Sequence, residues 1–267
     1  MTIEKFIQHS NRMLVITGAG CSSASGIGDY RDEQGEWKRA QPVQHQAFMQ
    51  TPAWRQRYWA RSQAGYPEFK RAKPNVAHQV LARWESQGRL CGLITQNVDG
   101  LHQRAGHQQV IDLHGRLDQV VCMSCGDRVS RDVVQQWLDT HNTRAVKDAP
   151  GMAPDGDADL ADKNFSAIKV PQCQQCGGIL KPDVVFFGDS VPKDRVAQAF
   201  AQLDQADSVL VIGSSLMVYS SFRFVRRAAE LGLPIAALNR GKTRADELLT
   251  LKVDADCVKT LKRLSAL

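Results

Sequence analysis

Long apolar runs are missing from this chain. No stretch approaches the roughly 20 residues that a membrane-spanning helix needs, and Met1 to Met13 mixes charged and polar residues with isolated apolar ones, unlike a secretion signal. The cytoplasm is the location these absences imply, with no membrane partner. Basic residues are not gathered into runs either: the formal net charge of +6 is scattered, the pattern of a solvated surface, which speaks only weakly for nucleic-acid partners. No internal repeat is visible. Asp155, Asp157 and Asp159 have the opening spacing of a calcium loop, but Leu160 stands where the turn glycine is needed and Ser166 where the bidentate glutamate should be. Residues 148–162, rich in Asp, Ala, Gly and Pro, therefore read as a solvated acidic loop. Seven cysteines, an odd number without a secretion signal, argue against a disulfide framework and leave metal binding or free thiols.

What the chain does have is alternation. With 267 residues, 43% of them hydrophobic, it can form one substantial domain, or a large domain carrying a smaller one. Short apolar runs at Met13 to Thr17, Cys91 to Thr95, Val110 to Leu113, Val184 to Phe187, Ser208 to Ile212 and Pro234 to Leu238 read as buried strands. Helix-like stretches, among them Asn75 to Ser86 and Ser221 to Leu231, lie between several of them. Strands alternating with helices predict an α/β fold with a doubly wound parallel sheet. The segment from about Trp37 to Lys73, with Trp54, Tyr58 and Trp59 close together, reads as covering helices.

Two pairs of cysteines carry the strongest metal signal. Cys122 and Cys125, then Cys173 and Cys176, are each separated by two residues and followed by glycine, so each knuckle can offer two thiolates to one tetrahedral zinc. Four ligands close the coordination sphere, so this zinc is expected to be structural. Cys21, Cys91 and Cys257 are left over.

Gly18-Ala19-Gly20 ends the first strand, but Ser23 stands where the dinucleotide fingerprint has its third glycine. The continuation Ser25-Gly26-Ile27-Gly28-Asp29-Tyr30-Arg31 can offer backbone N–H groups to a pyrophosphate, with Asp29 and Arg31 to orient ribose and phosphate. Gln96, Asn97 and Asp99, His114 and Gly115, Gly213 to Ser215, and Asn239 come directly after the other predicted strands. Ligands of open α/β sheets bind outside such carboxyl ends.

Together these segments, in order and spacing over about residues 12 to 260, resemble the sirtuins, NAD-dependent protein lysine deacylases. Gly35-Glu36-Trp37-Lys38-Arg39, Gln44-His45 and Arg57-Tyr58-Trp59-Ala60-Arg61 are similar to their class II branch. The resemblance implies a Rossmann-like NAD-binding domain from residues 1–36, 80–120 and 182–267. It also implies a smaller domain made of a helical module, 37–79, and a zinc-binding module, 121–181. It supplies a reaction as well: an acyl-lysine carbonyl oxygen attacks C1′ of the nicotinamide ribose, nicotinamide leaves, and a histidine acts as general base on a ribose hydroxyl, yielding O-acyl-ADP-ribose. His114 would be that base, with Asn97 and Asp99 in the nicotinamide pocket. NAD would also meet Gly18, Ala19, Gly20, Ser22, Gly26, Asp29, Tyr30, Arg31, Gln96 and Val98. Gly213, Ser214, Ser215, Asn239, Arg240, Gly241 and Cys257 would hold its adenosine half. The acyl-lysine peptide would add as a strand beside Val185, Phe186, Phe187 and Gly188, facing Gly213 to Met217.

Gly28 departs from the proline, Tyr30 from the phenylalanine and Asp189 from the glutamate more frequent in the family; none removes a group the chemistry requires. Tyr58 and Arg61 have the Tyr-x-x-Arg spacing used by desuccinylating members to bind an acyl carboxylate, and equally that of a solvated helix face. Mono-ADP-ribosyl transfer to protein is the alternative within NAD chemistry. A redox dehydrogenase conflicts with the missing glycine, and a zinc-ribbon nucleic-acid binder conflicts with the acidic loop between the knuckles.

Overall fold

In a computed structural model, which describes residues 1–38, 42–142, 156–157 and 164–266, the alternation resolves into two sheets. In chain order the elements are α1 (Ile3–His9), β1 (Met13–Thr17), α2 (His45–Gln50), α3 (Pro52–Arg71), α4 (Val76–Ser86), β2 (Leu90–Thr95), α5 (Leu101–Arg104), β3 (Val110–Asp112), β4 (Gly115–Cys122), β5 (Arg128–Ser130), α6 (Arg131–His141), β6 (Leu180–Val184), α7 (Lys193–Leu203), β7 (Ser208–Ile212), α8 (Tyr219–Glu230), β8 (Ile235–Leu238), β9 (Leu251–Val253) and α9 (Cys257–Arg263). Arg39 and most of residues 148–162 lie outside the described residues; Gly156 and Asp157 do not.

The larger sheet is parallel throughout, in the order β3-β2-β1-β7-β8-β9. This is the Rossmann-like, doubly wound arrangement expected from the sequence, and its topological switch lies between β1 and β7. Both central strands are buried at every position, which is why they read as uninterrupted apolar runs rather than alternating ones. One face is covered by α1, α4 and α9, where Phe6, Leu81, Trp84 and Leu261 share a core with Val15 and Leu210. The other is covered by α7 and α8, whose Leu203, Phe224 and Val225 pack with Ile16 and Val211. Ala77 lies in the first of these cores, so α4 belongs with the large sheet from its first turn.

The sequence expectation fails at Val184 to Phe187. That strand runs from Leu180 to Val184 instead and pairs antiparallel with β4, in a separate sheet of order β5-β4-β6. The physical reason is its partner: the chain leaves the large sheet after β3 and runs along β4 from Gly115 to Cys122, and β6 returns along β4. Val185 to Phe187 is left as irregular chain at the cleft.

The helical and cysteine-bearing segments share a core around the smaller sheet. Phe48, Tyr58 and Trp59 from the helical segment pack with Val120, Cys122, Leu138, Cys173 and Leu180 from the cysteine-bearing segment. The four cysteine sulfurs lie within 4.8 Å of one another, with Cys122–Cys176 at 3.5 Å and Cys125–Cys173 at 3.7 Å. A tetrahedron with zinc–sulfur bonds of about 2.3 Å requires sulfurs about 3.8 Å apart, so the set fits a closed zinc site. Gly126 and Gly177, with φ of 78° and 71°, close the two knuckles by donating to the Cys122 and Cys173 carbonyls.

Candidate active site

The carboxyl ends of β1, β2 and β7 open into a cleft of about 800 Å³. Its floor is made by two glycine turns packed backbone to backbone. The Gly20 amide donates to the Gly213 carbonyl at 2.9 Å, and a Cβ on Gly18 would stand 2.8 Å from that of Ser214. Gly213 is left-handed at φ 59°, and a side chain there would run into the Cys21 amide nitrogen. Glycine is required here because two strand ends must approach closely, not merely because the chain turns. The Cys257 thiol donates to the Gly20 carbonyl at 3.3 Å and ties the start of α9 to the same turn.

Three residues following β2 organise the centre. The Asn97 side-chain amide donates to the Gly18 carbonyl at 3.1 Å and the Ser22 hydroxyl at 3.0 Å. Ser22 in turn donates to Asp99 at 2.6 Å, and the Leu101 amide donates to the other oxygen at 2.8 Å. Burial pushes the Asp99 pKa up, while these two donors favour the carboxylate. Gln96 clamps the next element: its side chain donates to Ser214 at 2.6 Å and accepts from Ser221 at 2.9 Å.

His114 stands between β3 and β4. Its Nδ1 lies 3.1 Å from the Gln96 carbonyl, which can only accept, so Nδ1 carries the proton. Nε2 is therefore a lone pair, and it receives the Ser220 hydroxyl at 2.7 Å. Burial, against the Gln96 hydrogen bond and with a smaller contribution from Arg195, holds the imidazole pKa down to about 4. A neutral ring with Nε2 aimed into the cleft is the form a general base requires.

Ser220 and Ser221 were invisible to strand-end reasoning because they belong to the first turn of α8. The signal was their place directly beyond the Gly213 to Met217 segment. Ser220→Ala is expected to lower turnover several-fold and to shift the acid limb of kcat/KM upward in pH, because a donor that favours neutral His114 is lost. An unchanged pH profile would leave Ser220 with no part in setting the imidazole.

Cys21, His78 and His102 form a second tight group. The Asn75 amide donates to His78 Nδ1 at 3.2 Å, so the proton is on Nε2 and that nitrogen has no lone pair for a metal. Burial pulls the pKa of His78 down to about 4 and that of His102 well down, leaving a neutral packed pair with rings 4.8 Å apart. The group braces Ser22, 3.4 Å from His78 Nε2.

Of the residues singled out for NAD, Gly18, Ala19, Gly20, Ser22, Asp29, Tyr30, Arg31, Gln96, Asn97, Val98, Asp99, His114, Gly213, Ser214, Ser215, Asn239, Arg240 and Cys257 line this one cleft; Gly26 and Gly241 do not. Asp29 is paired with Lys38 at 2.6 Å, and Arg31 donates to the Gly35 carbonyl while stacking 4.1 Å from Trp37. Val185, Phe186, Phe187 and Gly188 line the same cleft, as do Leu216 and Met217. The Phe187 carbonyl already accepts from the His45 amide at 2.8 Å, so one edge of that segment is paired within the chain. Leu216, at φ 55°, is the one non-glycine residue with positive φ among the described residues, a strained backbone of the kind that persists at ligand clamps. Tyr58 lines the cleft beside Phe186, with ring centroids 5.4 Å apart, but Arg61 is not on its wall.

Residues 18–220 match the family model described as the Sir2 family. The chain is 58% identical over 265 residues to an NAD-dependent protein deacetylase of Xanthomonas axonopodis pv. citri (strain 306), covering 99% of this chain and 90% of that protein. It is 47% identical to the NAD-dependent protein lipoamidase sirtuin-4, mitochondrial, of Bos taurus, covering 96% and 82%. A solved structure described as Sir2 with p53 peptide and NAD+ superimposes with a TM-score of 0.80 at 29% identity, over 100% of this chain and 98% of that one.

Proposed function

Since the chain belongs to the Sir2 family, we propose that this cleft consumes NAD to remove acyl groups from lysine side chains of proteins or peptides, giving nicotinamide and O-acyl-ADP-ribose. The observation that carries the reading is His114: a neutral imidazole with its tautomer fixed by Gln96 and its unprotonated nitrogen accepting from Ser220, in a cleft also lined by Asn97 and Asp99.

Each role rests on the geometry. The glycine turns and Ser214 cradle the dinucleotide by close backbone approach, with the adenosine half toward Asn239, Arg240 and Cys257. Asn97 and Asp99, fixed through Ser22, line the pocket for nicotinamide and ribose. The acyl-lysine carbonyl oxygen attacks C1′ as the bond to nicotinamide breaks. His114 Nε2 then takes a proton from a ribose hydroxyl, which requires Ser220 to give up its hydrogen bond; that hydroxyl oxygen attacks the former amide carbon, a water adds, and the lysine amine leaves with the acyl group kept on the ribose. Cys122, Cys125, Cys173 and Cys176 would hold a structural zinc that supplies no chemistry to the reaction, in the core that carries Tyr58. Mass spectrometry of the products tests the assignment: O-acyl-ADP-ribose from an acetyl-lysine peptide supports it, whereas ADP-ribosylated protein without deacylation overturns it.

The acyl wall favours neutral chains. Ile27, Val43, Tyr58, Val98 and Phe186 line the cleft together with the carboxylates of Asp99 and Asp157, the latter only 2% exposed. An acidic acyl chain would meet carboxylates of its own sign, and Arg61 is not on the wall to pair with it. Acetyl- and lipoyl-lysine peptides are expected to turn over at least about tenfold faster than succinyl- or glutaryl-lysine peptides, the size of one uncompensated charge contact. The reverse order, abolished selectively by Arg61→Ala, would restore the acid-binding reading of Tyr58 and Arg61.

The class II placement belongs to the same proposal, supported by Trp37, Gln44-His45 and Tyr58-Trp59. No described helix is long and apolar enough to cross a membrane. A cytoplasmic location is supported by a four-thiolate zinc set beside three further free cysteines, a composition suited to a reducing compartment.

A further inference from the structure

Beyond the substrate edge at Leu216 and Met217, the cleft ends in a basic patch that the reaction does not use. Guanidinium carbons of Arg223, Arg226 and Arg244 lie 5.4, 5.5 and 5.5 Å from the ring centre of Tyr219, and Arg244 also stands 4.8 Å from Phe222. Tyr219 is 42% exposed, so these charges surround a ring that faces solvent.

Their neutralisation is uneven. Arg226 pairs with Glu230 at 3.5 Å. Arg244 donates to the Met217 carbonyl at 3.1 Å, bracing the substrate edge. Arg223 makes no ion pair among the described residues, and its Nε is buried without a hydrogen-bond partner although the residue lines the cleft. Lys193 also lines this cleft and likewise has no ion pair among the described residues. Asp189, which also lines the cleft, lies 3.1 Å from His45 and is not paired with Arg223. Three guanidinium groups around one ring, one of them lining the cleft without an ion pair among the described residues, are incomplete without an acceptor that carries negative charge.

We propose that Arg223, backed by Arg226, Arg244 and the Tyr219 ring, binds an acidic side chain of the substrate close to the acyl-lysine. The inference rests on the deacylase reading, in which the peptide runs between Phe187-Gly188 and Leu216-Met217 and its flanking residues pass Tyr219. A planar guanidinium held against an aromatic ring offers its fork to a carboxylate in a more fixed geometry than a mobile lysine would. The cleft thus selects acyl-lysines in acidic sequence surroundings.

The test is a set of acetyl-lysine peptides of neutral sequence carrying Glu, Gln or Lys at each of the two positions on either side. At one or more positions Glu should lower KM about fivefold to tenfold relative to Gln, and Lys should raise it. The gain should vanish in Arg223→Gln. It should also shrink in the unaltered enzyme as salt rises from about 0.05 to about 0.5 M, because the contact is partly exposed; this second measurement serves if the variant does not fold. Equal KM for Glu and Gln at all four positions, or a Glu preference indifferent to both salt and Arg223→Gln, overturns the proposal. Absence of turnover of every peptide, Gln versions included, overturns the deacylase reading itself and this inference with it.

Discussion

His114→Ala is expected to lower deacylation by about 10² to 10⁴, the usual worth of a positioned general base, while NAD binding is retained. Retention is expected because of how the cleft is built. Its cofactor walls are the backbone turns at Gly18 to Gly20 and Gly213 to Ser215, and neither depends on the imidazole. The pH dependence adds a second test. Protonation of His114 removes the base, so activity must fall as pH drops through its pKa. With the ring held down to about 4, kcat/KM of the unaltered enzyme should keep its basic form well below pH 6.5. A variant that still turns over peptide at the original rate would take the histidine out of the mechanism. One that loses NAD affinity in parallel would make His114 a binding residue instead.

Cys173→Ser should have the largest effect on stability. The sulfur is buried in the core that joins the knuckles to Phe48, Tyr58 and Trp59, so losing the metal exposes an uncompensated thiolate set and loosens that core together. Structural zinc sites contribute about 10 to 16 kcal/mol of apparent binding free energy, comparable to the whole stability of a domain, so the small domain should unfold as the metal leaves. The large sheet has its own two cores and should survive, giving a separate thermal transition. Deacylation should fail too, because Tyr58 and Phe186 lose their support although the zinc site touches neither NAD nor His114. A variant that kept both its zinc and its melting temperature would end the four-cysteine assignment.

Much of this site was legible in the chain because it lies where strands stop. Thr17 before the glycine turn, Thr95 before Gln96 and Ile212 before Gly213 are ends of buried apolar runs, and the polar residues after them must face the same rim of a parallel sheet. Local pattern is sufficient there, since the end of a strand sets the direction in which the next few residues leave the sheet. It was insufficient at Val184 to Phe187, where an apolar run is strand in its neighbour Leu180–Val184 and irregular at the cleft, because only pairing with β4 decides which residues join the ladder. It was insufficient at Ser220, whose hydroxyl matters only because α8 brings it to His114 from 106 residues away.

The sequence by itself determined the α/β class, the parallel order of alternating strands and helices, the four-thiolate metal set and the residues that gather at the strand ends, since periodicity and ligand spacing are local quantities. Only the tertiary structure decided that the helical and cysteine-bearing segments share a core, that His114 is neutral with Nε2 as an acceptor, that Tyr58 reaches the wall while Arg61 does not, and that Arg223 has no ion pair among the described residues. Burial, tautomer and charge compensation depend on which distant groups are packed alongside, and no spacing along one chain carries that information.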